Sequence, residues 1–164
     1  PKDSMMGKPG EGFKKFLKTL VSGRISIGAL SLGTAIGAYE KALNYSCERK
    51  SFGKTINKFQ SVAFKLADMA TKIESSKHLV YNAAWLQDQG FDVTKEAAMA
   101  KLQSSEAAMD IATEAIQIMG ANGYVREGKV ERYFRDAKIL EIGEGTSEIQ
   151  RIIISRKLIE NYKS

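Results

Sequence analysis

Three polar islands in this 164-residue chain hold side chains able to do chemistry. The first is Glu48-Arg49-Lys50-Ser51-Phe52-Gly53, followed at a short distance by Gln60. Its guanidinium and hydroxyl can hold a phosphate, the guanidinium through two parallel N–H donors, and a helix start beside them favours an anion. The second is Gln117-Ile118-Met119-Gly120-Ala121-Asn122-Gly123, whose small residues bare the backbone at a helix end. The third is Glu144-Gly145-Thr146-Ser147, a carboxylate on a flexible corner just ahead of a helix start, where it can approach a ligand as a general base. Each island also reads as a loop that caps helices, the commoner use of such residues. Residue types alone leave both readings open.

Other chemistries are excluded or disfavoured. One cysteine, Cys47, permits no intrachain disulfide and no Cys-based zinc site. One histidine, His78, leaves no metal triad of His and carboxylates, and is expected at the surface. No phosphate-binding G-x-x-x-x-G-K-[ST] loop, no dinucleotide fingerprint after a strand and no Glu-x-x-His pair occurs. The net charge is +6, but the basic residues are spread along the chain rather than clustered with aromatics. That describes a solvated surface, not a nucleic-acid site. With 43% hydrophobic and 27% charged residues the chain has a globular composition. Ser, Gly or charge interrupts its apolar stretches, so no membrane span is expected. The chain opens on Pro1 without a signal segment, as expected of a piece of a longer, unsecreted protein.

The elements that must position these islands read as helices. Both prolines lie in the first nine residues, and no stretch alternates with period two. An extended lead-in loop covers residues 1–10. A short amphipathic helix, residues 11–20, carries Phe13, Phe16, Leu17 and Leu20. Ser22 then caps a helix over residues 23–48 with Leu32, Ile36, Tyr39 and Leu43 on its core face. Its Gly28, Gly33 and Gly37 imply a close neighbouring backbone or ligand. Ser51-Phe52-Gly53-Lys54 breaks the chain. A helix over residues 60–89 follows, with Val62, Leu66, Met69, Ile73 and Val80 inward and Gly90 as its stop.

Thr94 is the expected cap of a helix whose core stripe is Ala98, Leu102, Ser105, Met109, Ala112, Ile116 and Met119, ended by Ala121-Asn122-Gly123. A short helix at residues 130–139 precedes a last one capped by Thr146, with Ile149, Ile152 and Ile153 inward. The sum is an all-α protein, an up-down bundle of four principal helices over residues 11–164.

Taken in order, the islands resemble the C-terminal helical domain of the acyl-CoA dehydrogenases, flavoproteins that place a 2,3-double bond in acyl-CoA thioesters. The resemblance rests on Glu48 to Gly53 with Gln60, Gln117 to Tyr124, Arg135-Asp136-Ala137 and Glu144 to Arg151, and covers nearly the whole chain. It implies that this bundle is the third part of a three-part protein, with FAD and acyl-CoA bound between the bundles and an absent β-domain. Glu144 matches the base that takes the α-proton while a hydride leaves the β-carbon for the flavin, and Gly145 matches a contact to the thioester. Arg49, Ser51, Phe52 and Gln60 match FAD contacts supplied across a subunit interface. Gln117, Gly120 and Ala121 match a second FAD-contacting stretch, and Thr146 and Glu148 a third. Arg135 and Asp136 resemble a structural ion pair.

Arg24 matches a substrate-binding position, although Val21 stands where an acidic residue is frequent, and Gly143 replaces a frequent Tyr before the base. Branched- and long-chain members carry their base near Arg24 instead. Glu144 therefore implies the short- or medium-chain type. The resemblance also implies a soluble homodimer or homotetramer in a bacterial cytoplasm or mitochondrial matrix, passing electrons to an electron-transfer flavoprotein, with no nucleic-acid partner. The second reading is a non-catalytic helical oligomerisation or binding module.

Overall fold

With no proline after Pro9, nothing in the sequence forbids long helices, and the computed structural model shows them. It describes residues 4, 5 and 7–163. The helices are α1 (Gly12–Glu48), α2 (Gln60–Asp88), α3 (Thr94–Met119), α4 (Ala121–Tyr124), α5 (Glu131–Ile142) and α6 (Ser147–Lys163). Helices α1, α2, α3 and α6 form the expected four-helix bundle, with α3 packed on α1, α2, α5 and α6. Part of the expected lead-in loop, residues 1–3 and 6, lies outside the described residues.

The expected break at Ser22 is absent: α1 runs unbroken through 37 residues. Ser22 is no cap. Its Oγ accepts a hydrogen bond from Gln87 Nε2 of α2 at 2.5 Å. Packing at residues 23–28 thus overrides the local preference of Ser and Gly for a helix end. Phe13, Phe16 and Leu17, expected on an amphipathic stripe, are exposed, and Leu17 lines an open cleft with Phe91 and Ile153 instead of closing into the core. By length and composition α1 is also apolar enough to span a bilayer, contrary to the sequence expectation. Its inner face is occupied by protein: Ala35, Ala38 and Ala42 are buried in the main core with Leu32.

Glycines 28 and 37 do mark close approaches. A Cβ at Gly28 would meet Val80 Cγ2 at 3.2 Å and the Ala100 backbone at 3.5 Å; one at Gly37 would meet the Tyr133 hydroxyl at 2.8 Å. Around Gly33 there is open space.

Lys50–Ser51 (β1) and Lys54–Thr55 (β2) pair antiparallel, and Phe52 and Gly53 turn the chain with φ +48° and +80°. Two successive left-handed residues suit a tight hairpin. The start of α3 corrects a second expectation. Asp92, not Thr94, holds it: Asp92 Oδ1 accepts from the Thr94 N–H at 3.1 Å and the Thr94 hydroxyl at 2.6 Å.

Small residues let α3 be buried on almost every side. Ala97, Ala98, Ala100, Ser104, Ser105, Ala107 and Ala108 are all covered, whereas Leu102, Met109 and Ile116 of the expected stripe are half-buried. The helix ends at Gly120, with φ +58°, rather than at Ala121-Asn122-Gly123, which begins the extra turn α4. In α6 the expected inward face is inverted. Ile149 and Ile152 are exposed, Ile153 is half-buried, and Gln150 is completely buried.

Candidate active site

The third island is the most elaborately built. Helix α5 stops at Gly143, and Glu144 and Gly145 follow with φ +54° and +96°. A left-handed glutamate is uncommon and needs support from its surroundings. Thr146 takes the position before α6, its carbonyl accepting from Gln150 N at 3.0 Å. The Thr146 hydroxyl, and then Glu148's own backbone N–H, hold the exposed Glu148 carboxyl below the usual glutamate range. An acidic side chain in the first turn also suits the positive end of the helix.

The turn aims the Glu144 side chain at α1. A Cβ added to Gly23 would lie 2.7 Å from Glu144 Oε2, so the carboxylate occupies space that only glycine leaves free. Arg24, the next residue, is buried. Burial disfavours its charge and the nearby Glu144 carboxylate restores part of that loss. Among the described residues its Nε has no hydrogen-bond partner. Arg24 also opens on a cleft of about 850 Å³ whose basic lining includes Lys14, Lys18 and Arg156. The structure thus brings Glu144, on the turn it shares with Gly145 and Thr146, beside Arg24, which lies 120 positions earlier in the chain.

Two further members of this site escaped the sequence reading. Lys101 of α3 is completely buried, and its Nζ donates to the Glu141 carbonyl, 2.8 Å away, at the last turn of α5. Burial pushes the Lys101 ammonium down; Glu141, Glu106 and Glu148 oppose this, while Arg24 adds to it. Gln150 donates through Nε2 to the Gly145 carbonyl at 2.8 Å and the Glu144 carbonyl at 3.2 Å. One signal was available: Lys101 falls on the helical spacing Ala97, Lys101, Ser104, Ala108, where a lysine on a face of small residues demands a buried partner.

The other two islands meet elsewhere. Arg49, Ser51, Gly120 and Ala121 line one cleft of about 470 Å³. Arg49 is exposed there and Ser51 half-buried. A guanidinium beside a hydroxyl is a set of donors that fits a phosphate ester. Phe52 stands at the tip of the hairpin, 94% exposed, edge-on to Phe59, and Gln60 is the exposed first residue of α2. Gln117 is separate from this cleft, in an apolar hollow of about 780 Å³ with Ile116, Tyr124 and Phe134. Arg135 also lines that hollow, and among the described residues neither it nor Asp136 belongs to an ion pair, contrary to expectation. His78 and Cys47 are exposed.

Arg24 and Arg49 mark the separation of the two sites. At 1.5 Å per residue they lie about 37 Å apart along α1.

The family described as acyl-CoA dehydrogenase, C-terminal domain, matches residues 10–159. The chain belongs to the acyl-CoA dehydrogenase family. It is 52% identical over 160 residues to a probable acyl-CoA dehydrogenase of Bacillus subtilis, covering 98% of this chain and 42% of that protein. It is 51% identical over 164 residues to the mitochondrial short-chain specific acyl-CoA dehydrogenase of Homo sapiens, covering 100% of this chain and 40% of that protein. The solved butyryl-CoA dehydrogenase of Megasphaera elsdenii superposes with a TM-score of 0.96 at 46% identity, over 97% of this chain and 42% of that one. The chain therefore spans about two fifths of the length of the curated relatives it matches.

Proposed function

We propose that this chain is the C-terminal bundle of an FAD-dependent dehydrogenase that oxidises short-chain acyl-CoA thioesters to trans-2-enoyl-CoA, with Glu144 as the base. The observation that carries the proposal is the seat of the Glu144 carboxylate over Gly23, beside the buried Arg24, which itself lines a basic cleft. A carboxylate so placed, on a turn fixed by neighbouring helices, would be held in one position for proton abstraction from carbon. The basic cleft fits the phosphates at the far end of a CoA ester. The names of the relatives in Bacillus subtilis, Homo sapiens and Megasphaera elsdenii support the reaction class, and those of the last two support a short acyl chain.

Overall, the substrate loses the α-proton to Glu144 and a hydride from the β-carbon, and the pair of C–H bonds gives way to one C=C bond. Bound FAD supplies the hydride acceptor. An α-proton beside a thioester is weakly acidic, so Glu144 must be held close and water kept away from it. Arg49 and Ser51 would hold the FAD pyrophosphate, with Gly120 and Ala121 beside them, and Phe52 at the hairpin tip and Gln60 at the start of α2 would add contacts to the same cofactor. They cannot do so for the flavin beside their own Glu144, because about 37 Å exceeds the reach of an extended dinucleotide. Each site is thus completed by a second copy of the chain, which supports a homodimer or homotetramer. Gln117 would join the cofactor held by Arg49 of its own copy, and Thr146 and Glu148 the one beside their own Glu144. An electron-transfer flavoprotein takes the electrons onward, and a bacterial cytoplasm or mitochondrial matrix is the compartment this reading carries with it.

Glu144→Gln in the full-length enzyme tests the assignment. Flavin content should remain at the parental level while turnover of butyryl-CoA falls ~10²–10⁴-fold. Turnover near the parental rate would remove Glu144 from the role of base.

A further inference from the structure

Glu144 carries a strained backbone at an exposed corner, yet no residue of its own turn accounts for its stability there. Its φ is +54° and that of Gly145 is +96°. Two consecutive left-handed residues, one of them not glycine, persist only where surrounding structure over-determines them. Two completely buried polar side chains supply that structure, and neither belongs to the turn. Gln150, from α6, reaches back with one amide nitrogen to the two successive carbonyls of Glu144 and Gly145, at 3.2 and 2.8 Å. Lys101, from α3, grips the Glu141 carbonyl at 2.8 Å, fixing the last turn of α5 from which the corner departs.

We infer that Gln150 and Lys101 are positioning residues, clamping the Glu144 corner from its two ends so that the carboxylate seats over Gly23. The inference rests on the reading of Glu144 as the base.

Burial explains why such polar groups would be used. An unpartnered N–H donor inside the bundle is costly, so the Gln150 Nε2 and the Lys101 ammonium are committed to the carbonyls they meet, while Gln150 Oε1 has no partner among the described residues. The carbonyls at a helix C-terminus are also unsatisfied and carry partial negative charge, which suits an ammonium. Helix α3 is the central helix and α6 packs on it, so both anchors stand on rigid elements. Space is tight on the glutamine side: a Cβ at Gly145 would lie 3.0 Å from Gln150 Nε2 and 3.2 Å from Ile149 Cγ2. The corner is therefore held by donors, and the space beside Gly145 admits no side chain without a shift of its neighbours. Loss of one donor frees Glu144 to leave the left-handed region and move its carboxylate, and a displacement near 1 Å costs on the order of 10²-fold in a positioned reaction.

The test uses the full-length holoenzyme with butyryl-CoA. Gln150→Met removes both donors and keeps an unbranched side chain of similar length. Expected are flavin content at the parental level, KM within about 3-fold of the parent, kcat lower by ~10–100-fold, and a larger isotope effect from deuterium at the α-carbon. In a Glu144→Gln background the same substitution should cost nothing further, because a positioning residue acts only through the group it positions. A kcat within about 3-fold of the parent, or an additional loss in the Glu144→Gln background, overturns the inference. If Gln150→Met loses its flavin, the decision passes to Lys101: Lys101→Met must slow kcat with flavin retained, and Lys101→Arg, which keeps a charged donor, must be faster than Lys101→Met. Equal rates for those two variants overturn it as well. Parental turnover by Glu144→Gln itself would remove the base and with it the clamp. An inert Glu144→Gln beside a fully active Gln150→Met would remove the clamp alone.

Discussion

The Glu144 carboxylate rests on Gly23, so closely that a Cβ there would lie 2.7 Å from Oε2 and 3.0 Å from Cδ. Helix α1 is bare at the point where the side chain from the far end of the sequence crosses it. The atoms in conflict belong to the end of a flexible side chain, so an alanine at 23 displaces the carboxylate rather than the helix. Alanine also raises helix propensity in place of glycine by ~1 kcal/mol. Gly23→Ala in the full-length enzyme should therefore resist denaturant at least as well as the parent while turning over ~10–100-fold more slowly. Chemical denaturation and steady-state kinetics on the same preparation check both halves. A variant with parental turnover would show that the base does not work from this seat.

Arg49 should matter for flavin and not for proton abstraction. It is exposed on the cleft it shares with Ser51, Gly120 and Ala121, and no ion pair among the described residues engages it. A charge-assisted contact to phosphate contributes about 1.5–3 kcal/mol, or ~10–150-fold in affinity. Arg49→Ala should release flavin on dialysis to that extent, and saturating FAD should restore turnover. Undiminished flavin affinity would reduce Arg49 to a surface charge at the end of α1.

Asp92 gives the bundle an acid-sensitive tie. The Thr94 hydroxyl, then the Thr94 N–H, and then Lys157 of α6 hold its carboxyl below the usual aspartate range. A carboxyl depressed in the folded state stabilises fully above its unfolded pKa, and that contribution disappears as pH falls through the folded value. The parental protein should therefore lose this stabilisation below about pH 4. Asp92→Ala should cost about 0.5–2 kcal/mol at pH 7, as loss of a helix cap does. The difference between variant and parent should shrink in strong acid, and denaturant titrations at pH 7 and pH 3 would show it. A difference that stays constant with pH would mean that the carboxylate charge is irrelevant there.

The helices themselves were largely legible, because a proline-free chain with Leu66, Met69, Ile73 and Val80 at helical spacing has few other ways to fold. Three features were hidden for physical reasons. Ser22-Gly23 looks like a helix boundary in sequence, yet Gly23 is there for the carboxylate of Glu144, a contact across 121 positions of sequence. Burial of α3 escaped a reading based on large side chains, since alanines and serines provide most of its covered surface. In α6 hydrophobicity pointed the wrong way: Gln150 takes the inner face for its two carbonyl partners, and Ile149 and Ile152 are left outside. The polar islands were visible, but their grouping was not. Arg24 joined to Glu144 and Arg49 joined to Gly120 are products of the tertiary fold.

Taken alone, this chain should fold, self-associate and remain colourless. Folding needs no absent partner: Leu66, Met69 and Ile73 of α2 bury against Ile111, Ala112 and Ala115 of α3 and Leu32 of α1 in one core cluster. A second cluster closes Ile25, Val80 and Val93 around Ala97. Self-association follows from what is left uncovered. Tyr81 and Trp85, one turn apart on α2, are 64% and 58% exposed, and Leu30, Phe64, Ile149 and Ile152 are exposed as well. Large apolar groups left this open on several helices favour contact between copies. Absence of colour follows from the distance of about 37 Å between the Arg24 and Arg49 ends of α1. On the proposed reading, each copy offers its Arg49 cleft to one cofactor and its Glu144 corner to another. Far-ultraviolet circular dichroism should show a helical protein, sedimentation a species heavier than 18.1 kDa, and a flavin titration no tight binding. A helical monomer would remove the claim of association and leave the active-site assignment intact. A yellow protein that reduces an acceptor with butyryl-CoA would show that the bundle alone holds the whole site, and the division of labour between two copies would fall.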